Sequence, residues 1–394
     1  MRTSVGLCLL AVACGGSAQT TSDAGASSLA VNPGDPFPNL TAEQLEFFQD
    51  GKGDFTSVET PETGLGPVFN EASCVACHAG PKTAVGGSND RLVTRFGKTL
   101  GGVFDPLSAQ GGTLLQDHSI GGPCAFGPET VPAAANVVAQ RRTVSLYGLG
   151  LVDALTADSM HALATQELRD NPNTAGTAGT ALDIGSNQMV VAKFGWKAQE
   201  VSLLQFAGDA YLNEMGMTNP LFPDETCPQG DCSLLACNPA PRMNEDAEDL
   251  VALADFMTGL APVAPLAWGP NERRGLAAAR SVGCFECHTQ TLTAGRSDIA
   301  DIDGATFHPY SDFLLHDMGS LGDGIVQGSA GPTQMRTAPL WGLRFETSFL
   351  HDGRATSVDQ AIRAHDGQGS SARDKYAGLQ NEQRQLLLGF LQTL

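Results

Sequence analysis

Positive charge is scarce in this sequence of 394 residues. It has 23 lysine and arginine residues against 43 aspartate and glutamate residues, which gives a net charge of −20. Such a chain repels polyanions, so neither nucleic acid nor an anionic lipid surface is expected as a partner. Charged residues of both signs make up only 17% of the chain, and 46 glycine and 22 proline residues indicate long loops.

Long hydrophobic runs are also absent. The apolar run at residues 5–13 is too short to span a membrane, and no other segment approaches that length. With Arg2 before it, this run predicts a signal peptide over residues 1–14. Ala11-Val12-Ala13-Cys14 resembles a bacterial lipobox, in which Cys14 would be lipidated, with ordinary signal cleavage as the alternative. We therefore expect a periplasmic protein, lipid-anchored to the outer membrane of a Gram-negative bacterium, with residues 15–39 as a flexible tether.

Two pentapeptides carry most of the chemistry: Cys74-Val75-Ala76-Cys77-His78 and Cys284-Phe285-Glu286-Cys287-His288. This Cys-x-x-Cys-His spacing is the attachment motif of c-type haem. Two thiols at this spacing reach the two vinyl groups on one edge of the porphyrin, and the adjacent histidine ligates iron. Two distant copies predict two covalent haems.

A zinc site or a redox dithiol is the alternative interpretation of each motif. Zinc would use Cys77 and His78 poorly, because neighbours in sequence seldom both point at one tetrahedral metal. A thioredoxin-like dithiol needs no following histidine and expects a βαβ setting, which the sequence does not show. Haem is therefore the favoured interpretation.

Four other cysteines lie beyond the signal peptide: Cys124, Cys227, Cys232 and Cys237. An even number in an exported protein predicts disulfides, with three possible pairings. We expect at least one disulfide within residues 227–237. The alternatives are free or metal-bound thiols.

The two haem motifs lie in similar settings, which predicts a duplicated architecture. Helices are expected before the motifs, over residues 41–48 with Thr41 as N-cap and over residues 271–280. Further helices are expected to close each half, over residues 244–260 and 380–394. Residues 261–265, rich in proline, form the expected linker. We predict a mainly α fold with long loops and little β, made of two cytochrome c-like domains over residues 40–262 and 263–394, each with one haem c.

Several segments of the chain occur in an order found in a known group. Met335-Arg336-Thr337-Ala338-Pro339-Leu340-Trp341-Gly342-Leu343-Arg344 is followed by Phe349-Leu350-His351-Asp352-Gly353-Arg354 and then Ala361-Ile362. This order resembles the second domain of bacterial di-haem cytochrome c peroxidases and MauG. The segments Tyr310-Ser311-Asp312-Phe313-Leu314-Leu315-His316-Asp317-Met318-Gly319, Phe194-Gly195-Trp196-Lys197-Ala198 and Leu146-Tyr147-Gly148-Leu149-Gly150-Leu151 resemble one related branch, the di-haem oxidoreductase (putative peroxidase) family.

The resemblance implies a ligand set for each iron, with His78 and His288 as proximal ligands. In the peroxidases, a Met at the end of the helix after the His-Asp-Gly segment gives the second haem its sixth ligand. The same count from His351 reaches His365, so we predict a bis-His second haem with a lower potential than Met ligation gives. The alternative is that His365 is an exposed histidine at a helix end. No histidine lies between His118 and His161, so the first iron is expected to be five-coordinate, with His118 as a spare candidate ligand.

The resemblance also implies three catalytic residues at the first haem. Trp196 is expected between the haems, where it would help electrons to cross. Gln205 and Glu214 are expected to line the distal face, because splitting a peroxide bond needs a proton moved from one oxygen to the other, and a carboxyl group can move it. An amide can orient the peroxide by hydrogen bonds. The alternative for Glu214 is a surface carboxylate.

Buried arginines and a calcium ion complete the expected site. Arg142 and Arg344 are candidates to bind haem propionates, as are Arg141 and Arg336, because a guanidinium matches a carboxylate in a bidentate way. Ordinary ion pairing is the alternative. Relatives hold a calcium ion at the domain interface, which here would lie near Gly148 and residues 346–348 and use mainly backbone carbonyls.

The leading functional hypothesis is an enzyme of the di-haem cytochrome c peroxidase type. It would reduce peroxide at the N-terminal haem with electrons relayed through the C-terminal haem. Its expected partners are peroxide or another small oxidant and a redox protein or quinol-linked electron donor. The alternatives are MauG-like oxidation of a protein or organic substrate, and a non-enzymatic cytochrome that only transfers electrons.

Overall fold

The computed structural model describes residues 31–394, except residues 81, 83, 122–126 and 242. The predicted signal peptide, residues 15–30 of the predicted tether and Cys124 lie outside the described residues. Within the described part of the chain, no helix is both long and apolar enough to cross a membrane.

Nine α-helices lie in the described part of the chain, and they include all four predicted from the sequence. Their bounds are α1 Ala42–Thr56, α2 Leu149–Asp153, α3 Ala157–Asp170, α4 Leu203–Met215, α5 Ala247–Gly259, α6 Pro270–Val282, α7 Val358–Ala364, α8 Ser370–Ala377 and α9 Asn381–Leu391. Thr41 caps α1 as predicted: its side chain accepts from the backbone of Gln44, whose side chain accepts from the backbone of Thr41.

Short antiparallel strands connect these helices, so the expectation of a mainly α fold with little β is corrected to a mixed one. Among the residues that the structure describes, 35% are helical and 15% are in strands or bridges. The strands are β1 Val68–Phe69, β2 Leu92–Leu100, β3 Val103–Asp105, β4 His118–Ser119, β5 Val137–Arg142, β6 Thr180–Asp183, β7 Gln188–Val191, β8 Leu292–Thr293, β9 Thr306–Phe307, β10 Leu315–Asp317 and β11 Gln334–Arg336. The main sheet has the order β3-β2-β5, and Leu92 lies opposite Arg142. The β-branched and aromatic residues of this sheet favour extended backbone, which the expectation of long loops overlooked.

Each half is built on a pair of helices that cross at a glycine. In the first, α1 crosses α5 where a side-chain carbon on Gly51 would lie 1.9 Å from the carbonyl oxygen of Ala252. In the second, α6 crosses α9 where a side-chain carbon on Gly275 would lie 2.1 Å from the carbonyl oxygen of Leu386. Only glycine permits such close approach of two backbones. The predicted duplication into two cytochrome c-like domains stays a prediction.

The largest hydrophobic core crosses the predicted domain boundary at residues 262 and 263. It joins residues of α1, α4 and α5 with Ile302, Phe313 and Trp341 of the second half. A smaller core lies around α6 and α9 and contains Tyr376 and Phe390. The two halves therefore share apolar packing, and the boundary itself stays a prediction.

Residues 31–39, predicted as the end of a flexible tether, instead pack against the folded chain. The backbone amide of Val31 donates to the carbonyl of Pro262, and that of Phe37 donates to the carbonyl of Gly259. The Phe37 ring is buried in the largest core. Burial of an aromatic ring outweighs the local composition that favours a loop, which corrects the prediction.

One predicted disulfide is confirmed. Cys227 and Cys232 form a disulfide within the segment expected to contain one. Cys237 is also disulfide-bonded. The four cysteines of the Cys-x-x-Cys-His motifs are free thiols.

Candidate functional site

A cavity of about 280 Å³ lies where the two halves meet. Its walls come from the chain after β5, the loop before α4, the second Cys-x-x-Cys-His motif, and the segments around β11 and α7. The cavity brings together residues that the sequence placed in one site: Arg142, Trp196, Cys284, Cys287, His288 and His365.

The second motif begins where α6 ends. Gly283 terminates the helix with a φ of +95°, and a 3-10 turn over Cys284–Glu286 follows. The backbone amide of His288 then donates to the carbonyl of Cys284 at 3.0 Å. The turn places both thiols and the imidazole of this motif at the cavity wall.

The imidazole of His288 is fixed by a hydrogen bond from behind. Its Nδ1 lies 2.8 Å from the carbonyl oxygen of Tyr310, so Nδ1 carries the proton and Nε2 keeps its lone pair for a metal. Desolvation, and then the nearby charge of His365, lower the pKa of His288 to about 4. A neutral imidazole is the form that binds iron.

His365 has the same arrangement and faces the same cavity. It follows the last residue of α7, and its Nδ1 lies 2.8 Å from the carbonyl oxygen of Ala361. Desolvation lowers its pKa as well. The histidine that the resemblance predicted as the second ligand is thus half-buried, neutral and oriented by the backbone, although its ligation of iron stays a prediction.

The first motif folds into the same turn as the second. A 3-10 turn covers Cys74–Ala76, and the backbone amide of His78 donates to the carbonyl of Cys74 at 2.9 Å. Desolvation lowers the pKa of His78 to about 4, partly offset by the backbone at Gly87 and Val144. The ring of Phe55 packs 5.8 Å from that of His78. A buried, neutral imidazole fits a metal ligand.

The thiols of the motifs are not reactive dithiols. Burial raises the pKa of Cys74 and Cys77 to about 12, whereas a redox dithiol needs a lowered pKa. Among the described residues, one group of metal-type donors forms, namely Cys287, Asp312 and His316. Both imidazole nitrogens of His316 already lie 3.0 Å from oxygen atoms, so we interpret this group as a hydrogen-bonded cluster rather than a zinc site.

Glu214 lies near the first motif, and its predicted place on the distal face of a haem stays a prediction. Its Oε2 accepts a hydrogen bond from the side-chain amide of Asn70 at 2.7 Å, and its carbonyl accepts from the backbone amide of the same residue. The side chain is half-buried, and its charge acts on Cys77. Burial raises the pKa of the Glu214 carboxyl, partly offset by Arg95 and Asn70, which favours its protonated form.

Gln205 holds the backbone near β6 rather than facing the cavity. Its Oε1 accepts from the backbone amide of Ile184 at 2.9 Å. Its Nε2 donates to the carbonyl of Leu182 and to the carboxylate of Glu200, each at 3.1 Å. Both the oxygen and the nitrogen of the Gln205 side-chain amide already form hydrogen bonds within the protein. Its catalytic role stays a prediction that these contacts do not favour.

Sequence reasoning missed two carboxylates near Glu214. Burial raises the pKa of Asp209 on α4, and burial followed by the charge of Asp209 raises the pKa of Glu200 to about 8. The positive charge of Arg95 on β2 partly offsets the rise in the pKa of Glu214, Asp209 and Glu200. These residues belong to no motif, and no pattern in the sequence indicates that they lie close together in the folded chain.

Trp196 lies in the cavity wall between residues of both halves. Its Nε1 donates to the carbonyl of Arg142 at 2.9 Å, which fixes the plane of the indole. The ring of His351 packs edge-on against it at 6.2 Å. This placement suits the predicted role of Trp196 between two haems.

The predicted propionate-binding arginines already have protein partners. The guanidinium of Arg142 lines the cavity and pairs with Glu346, which also accepts from the Ser88 hydroxyl. That of Arg344 donates to the main-chain oxygens of Leu394 and Ala264, each at 2.6 Å. Arg142 thus stays placed for a ligand in the cavity, whereas Arg344 is committed to the backbone.

The spare ligand and the calcium ion remain predictions. His118 is half exposed, its Nδ1 lies 2.7 Å from Asp117, and its ring stacks on Phe69. Near the expected calcium position, Asp90 accepts from the hydroxyls of residues 347 and 348 and Glu346 pairs with an arginine. Protein donors therefore already satisfy these two carboxylates.

Comparison with known proteins assigns the chain to a family. The model of the di-haem oxidoreductase, putative peroxidase, family matches residues 134–394, about two thirds of the sequence. The chain belongs to this family. Membership implies oxidoreductase chemistry with two haem cofactors. No curated protein sequence matches the chain.

Solved structures give distant likenesses to this family member. Hydrazine synthase from Kuenenia stuttgartiensis is 13% identical, with 95% of this chain and 98% of that chain covered and a TM-score of 0.42. A MauG-like protein associated with microbial copper homeostasis is 15% identical, with 94% of each chain covered and a TM-score of 0.40. The diheme peroxidase BthA from Burkholderia thailandensis is 14% identical, with 93% of this chain and 89% of that chain covered and a TM-score of 0.41. The assignment rests on the family match.

Proposed function

We propose that this protein is a periplasmic di-haem c oxidoreductase that reduces peroxide at the His78 haem, with electrons relayed through the His288 haem. Family membership supports the oxidoreductase class. The observation that carries the division of labour is the pair His288 and His365, both fixed through Nδ1 and both facing one cavity. Two imidazole ligands leave no iron position for an oxidant, which suits a centre that only passes electrons.

The first motif offers a different environment. The half-exposed His118 is engaged with Asp117, which supports an iron held by His78 alone. Glu214 lies beside this motif with a raised pKa. Reduction of hydrogen peroxide consumes two electrons and two protons and yields two water molecules. The ionised form of Glu214, which the raised pKa makes a stronger base, takes the proton from one peroxide oxygen and returns it to the other, which makes that oxygen a better leaving group.

The cofactors themselves fit the residues present. When bound, the haems supply the iron that accepts and donates electrons. The free thiols of Cys74, Cys77, Cys284 and Cys287 would form the thioether bonds, and the neutral imidazoles would ligate the iron. Trp196 provides an aromatic ring between the two centres, and its hydrogen bond to the Arg142 carbonyl keeps that ring fixed.

The setting of the reaction is part of the proposal. The disulfide between Cys227 and Cys232 fits an oxidising compartment such as the periplasm. Lipidation at Cys14 would hold the protein at the outer membrane, and a redox protein or quinol-linked donor would deliver electrons to the His288 haem.

A low-temperature EPR spectrum of the oxidised holoprotein tests the ligand assignment. We expect one high-spin ferric signal from the His78 haem and one low-spin signal from the His288 haem. His365→Ala should convert the low-spin signal to high spin and leave the other unchanged. Two low-spin signals in the wild type would contradict the open first haem and favour a cytochrome that only transfers electrons.

Peroxide turnover by Glu214→Gln tests the acid–base role. General acid–base catalysis contributes about 10²–10⁴-fold, so the rate constant should fall by that order while both haems remain attached. Glu62→Gln, at an exposed loop position, is the matched control and should keep wild-type turnover. Equal rates in both variants would contradict the role of Glu214, and absence of peroxide turnover in the wild type would contradict peroxide reduction itself.

A further inference from the structure

Three titratable side chains that the proposed function does not use are sealed together beside the second motif. They are Glu167 of α3, Asp312, and His316 of β10, with 6%, 0% and 2% of their surfaces exposed. The His316 Nε2 lies 3.0 Å from the Asp312 carboxylate, and its Nδ1 lies 3.0 Å from the carbonyl oxygen of Thr174. A carbonyl can only accept, so Nδ1 must carry a proton, and Nε2 faces a carboxylate.

These contacts favour the imidazolium form of His316 beside the carboxyl group of Asp312. Burial alone would lower the pKa of His316, but the charge and hydrogen bond of Asp312 outweigh it and raise that pKa. The loop of Gly176 packs so closely on the ring that a side-chain carbon there would lie 2.6 Å from Nε2. The His316 ring is therefore held in place against Asp312.

Glu167 is the third member of the cluster. Its Oε2 accepts from the backbone amide of Gly176 at 2.9 Å, and its carboxyl shares a side-chain hydrogen bond with that of Asp312. Two carboxyl groups can share such a bond only when one of them carries a proton, and two ionised carboxylates there would repel each other. Burial, and then Asp312, raise the pKa of Glu167 to about 8, partly offset by His316.

The cluster touches the proposed site of the second haem. The His316 ring lines the same cavity as His288 and His365, and its Nδ1 lies 3.6 Å from the Cys287 sulfur. Other charges face the cluster from neighbouring elements. Arg336 of β11 is buried and feels the charge of Asp312, and Glu286 accepts a hydrogen bond from the Thr174 hydroxyl at 2.8 Å.

We propose that, in alkaline solution where the Glu167 carboxyl is ionised, the Glu167–Asp312–His316 cluster takes up one proton from water when one electron enters the C-terminal haem. This inference rests on the proposed function, because it needs a haem attached at Cys287. The electron comes from the donor of that reaction, and the proton forms the O–H bond of the Glu167 carboxylic acid. An added negative charge in a region of low dielectric raises the proton affinity of ionisable groups near it, so protonation of Glu167 would offset the charge of the added electron.

The pH dependence of the reduction potential of the C-terminal haem tests this inference. In the wild type, the potential should be constant below pH about 8, where Glu167 is already protonated before reduction. Above that pH it should fall, with a limiting slope of about 59 mV per pH unit for one proton per electron. Glu167→Gln should abolish the slope, and the matched control Glu62→Gln should keep it.

A measurement on the wild type alone guards against a Glu167→Gln variant that does not fold. Reduction in weakly buffered solution at pH 9, followed with an indicator dye, should consume about one proton per electron entering this haem. A potential that does not change between pH 7 and pH 10, or a slope that persists in Glu167→Gln, would overturn the inference. Failure of the proposed function would look different. A pyridine haemochrome spectrum without the bands of haem c would show that no haem is attached to the protein.

Discussion

Removal of one buried carboxylate should weaken the contact between the two halves of the molecule. Asp323 lies in the second half, and its side chain is fully buried. Its Oδ1 lies 2.9 Å from the Lys197 ammonium, and its Oδ2 lies 2.7 Å from the Arg141 guanidinium. Lys197 is also fully buried and Arg141 is 4% exposed. One carboxylate thus compensates two buried cations from the first half.

The expected cost of Asp323→Asn follows from this geometry. Burial lowers the pKa of Lys197 and lowers that of Arg141 to about 10, which shows that both cations are poorly solvated. Loss of the partner of a buried charge typically costs about 3–5 kcal/mol. We expect the free energy of unfolding of the holoprotein, measured by urea titration with circular dichroism, to fall by about that amount.

The pH dependence has a definite sign. The charges of Arg141 and Lys197 hold the pKa of Asp323 below its usual value, in spite of burial. Its stabilising contribution is therefore fully present above the unfolded-state value of about 3.9 and is lost as the pH falls through the lower pKa of the folded state. The difference in the free energy of unfolding between wild type and Asp323→Asn should be constant above pH about 4. It should decrease only below that pH.

Two further variants make the prediction refutable. Asp170→Asn removes a carboxylate from an exposed pair with Arg169 and should change stability by less than about 0.5 kcal/mol. The double variant Asp323→Asn with Lys197→Met should recover part of the loss, because it removes one uncompensated cation. A loss below about 1 kcal/mol in Asp323→Asn, or no recovery in the double variant, would refute the reasoning.

Two other predictions test the packing and the proposed electron path. Phe37→Ala should lower the free energy of unfolding by about 3–5 kcal/mol, because its ring is buried in the largest core; a change below about 1 kcal/mol would show that residues 31–39 add little to the fold. Trp196→Phe removes the donor to the Arg142 carbonyl and should slow electron transfer between the haems in stopped-flow absorption, while both reduction potentials stay unchanged. An unchanged rate would contradict a path through the indole.

Local patterns in the sequence were sufficient for some features of the site. The Cys-x-x-Cys-His motifs were recognised from the sequence alone, because the spacing of the two thiols and the imidazole is fixed within one turn of the chain. The caps and apolar spacing of α1, α5, α6 and α9 predicted those helices. The count from His351 to His365 found a histidine that does face the cavity, because the helix between them fixes its place.

Other features depend on distant segments, which decide the environment of a side chain. Gln205 has the residue type of a distal amide, but contacts with Leu182, Ile184 and Glu200 use it to hold β6. Residues 31–39 have the composition of a tether, but the burial of Phe37 attaches them to the core. Composition and spacing do not report which surface a side chain meets after folding.

The sequence by itself determined the Cys-x-x-Cys-His motifs and the main helices, because these depend on residues that are neighbours along the chain. Only the tertiary structure decided which charges are removed from water. Glu167 and Asp323 look like ordinary carboxylates in sequence, yet burial raises the pKa of the first, while two buried cations lower that of the second. Desolvation depends on every segment packed around a group, and those segments come from both halves of the chain.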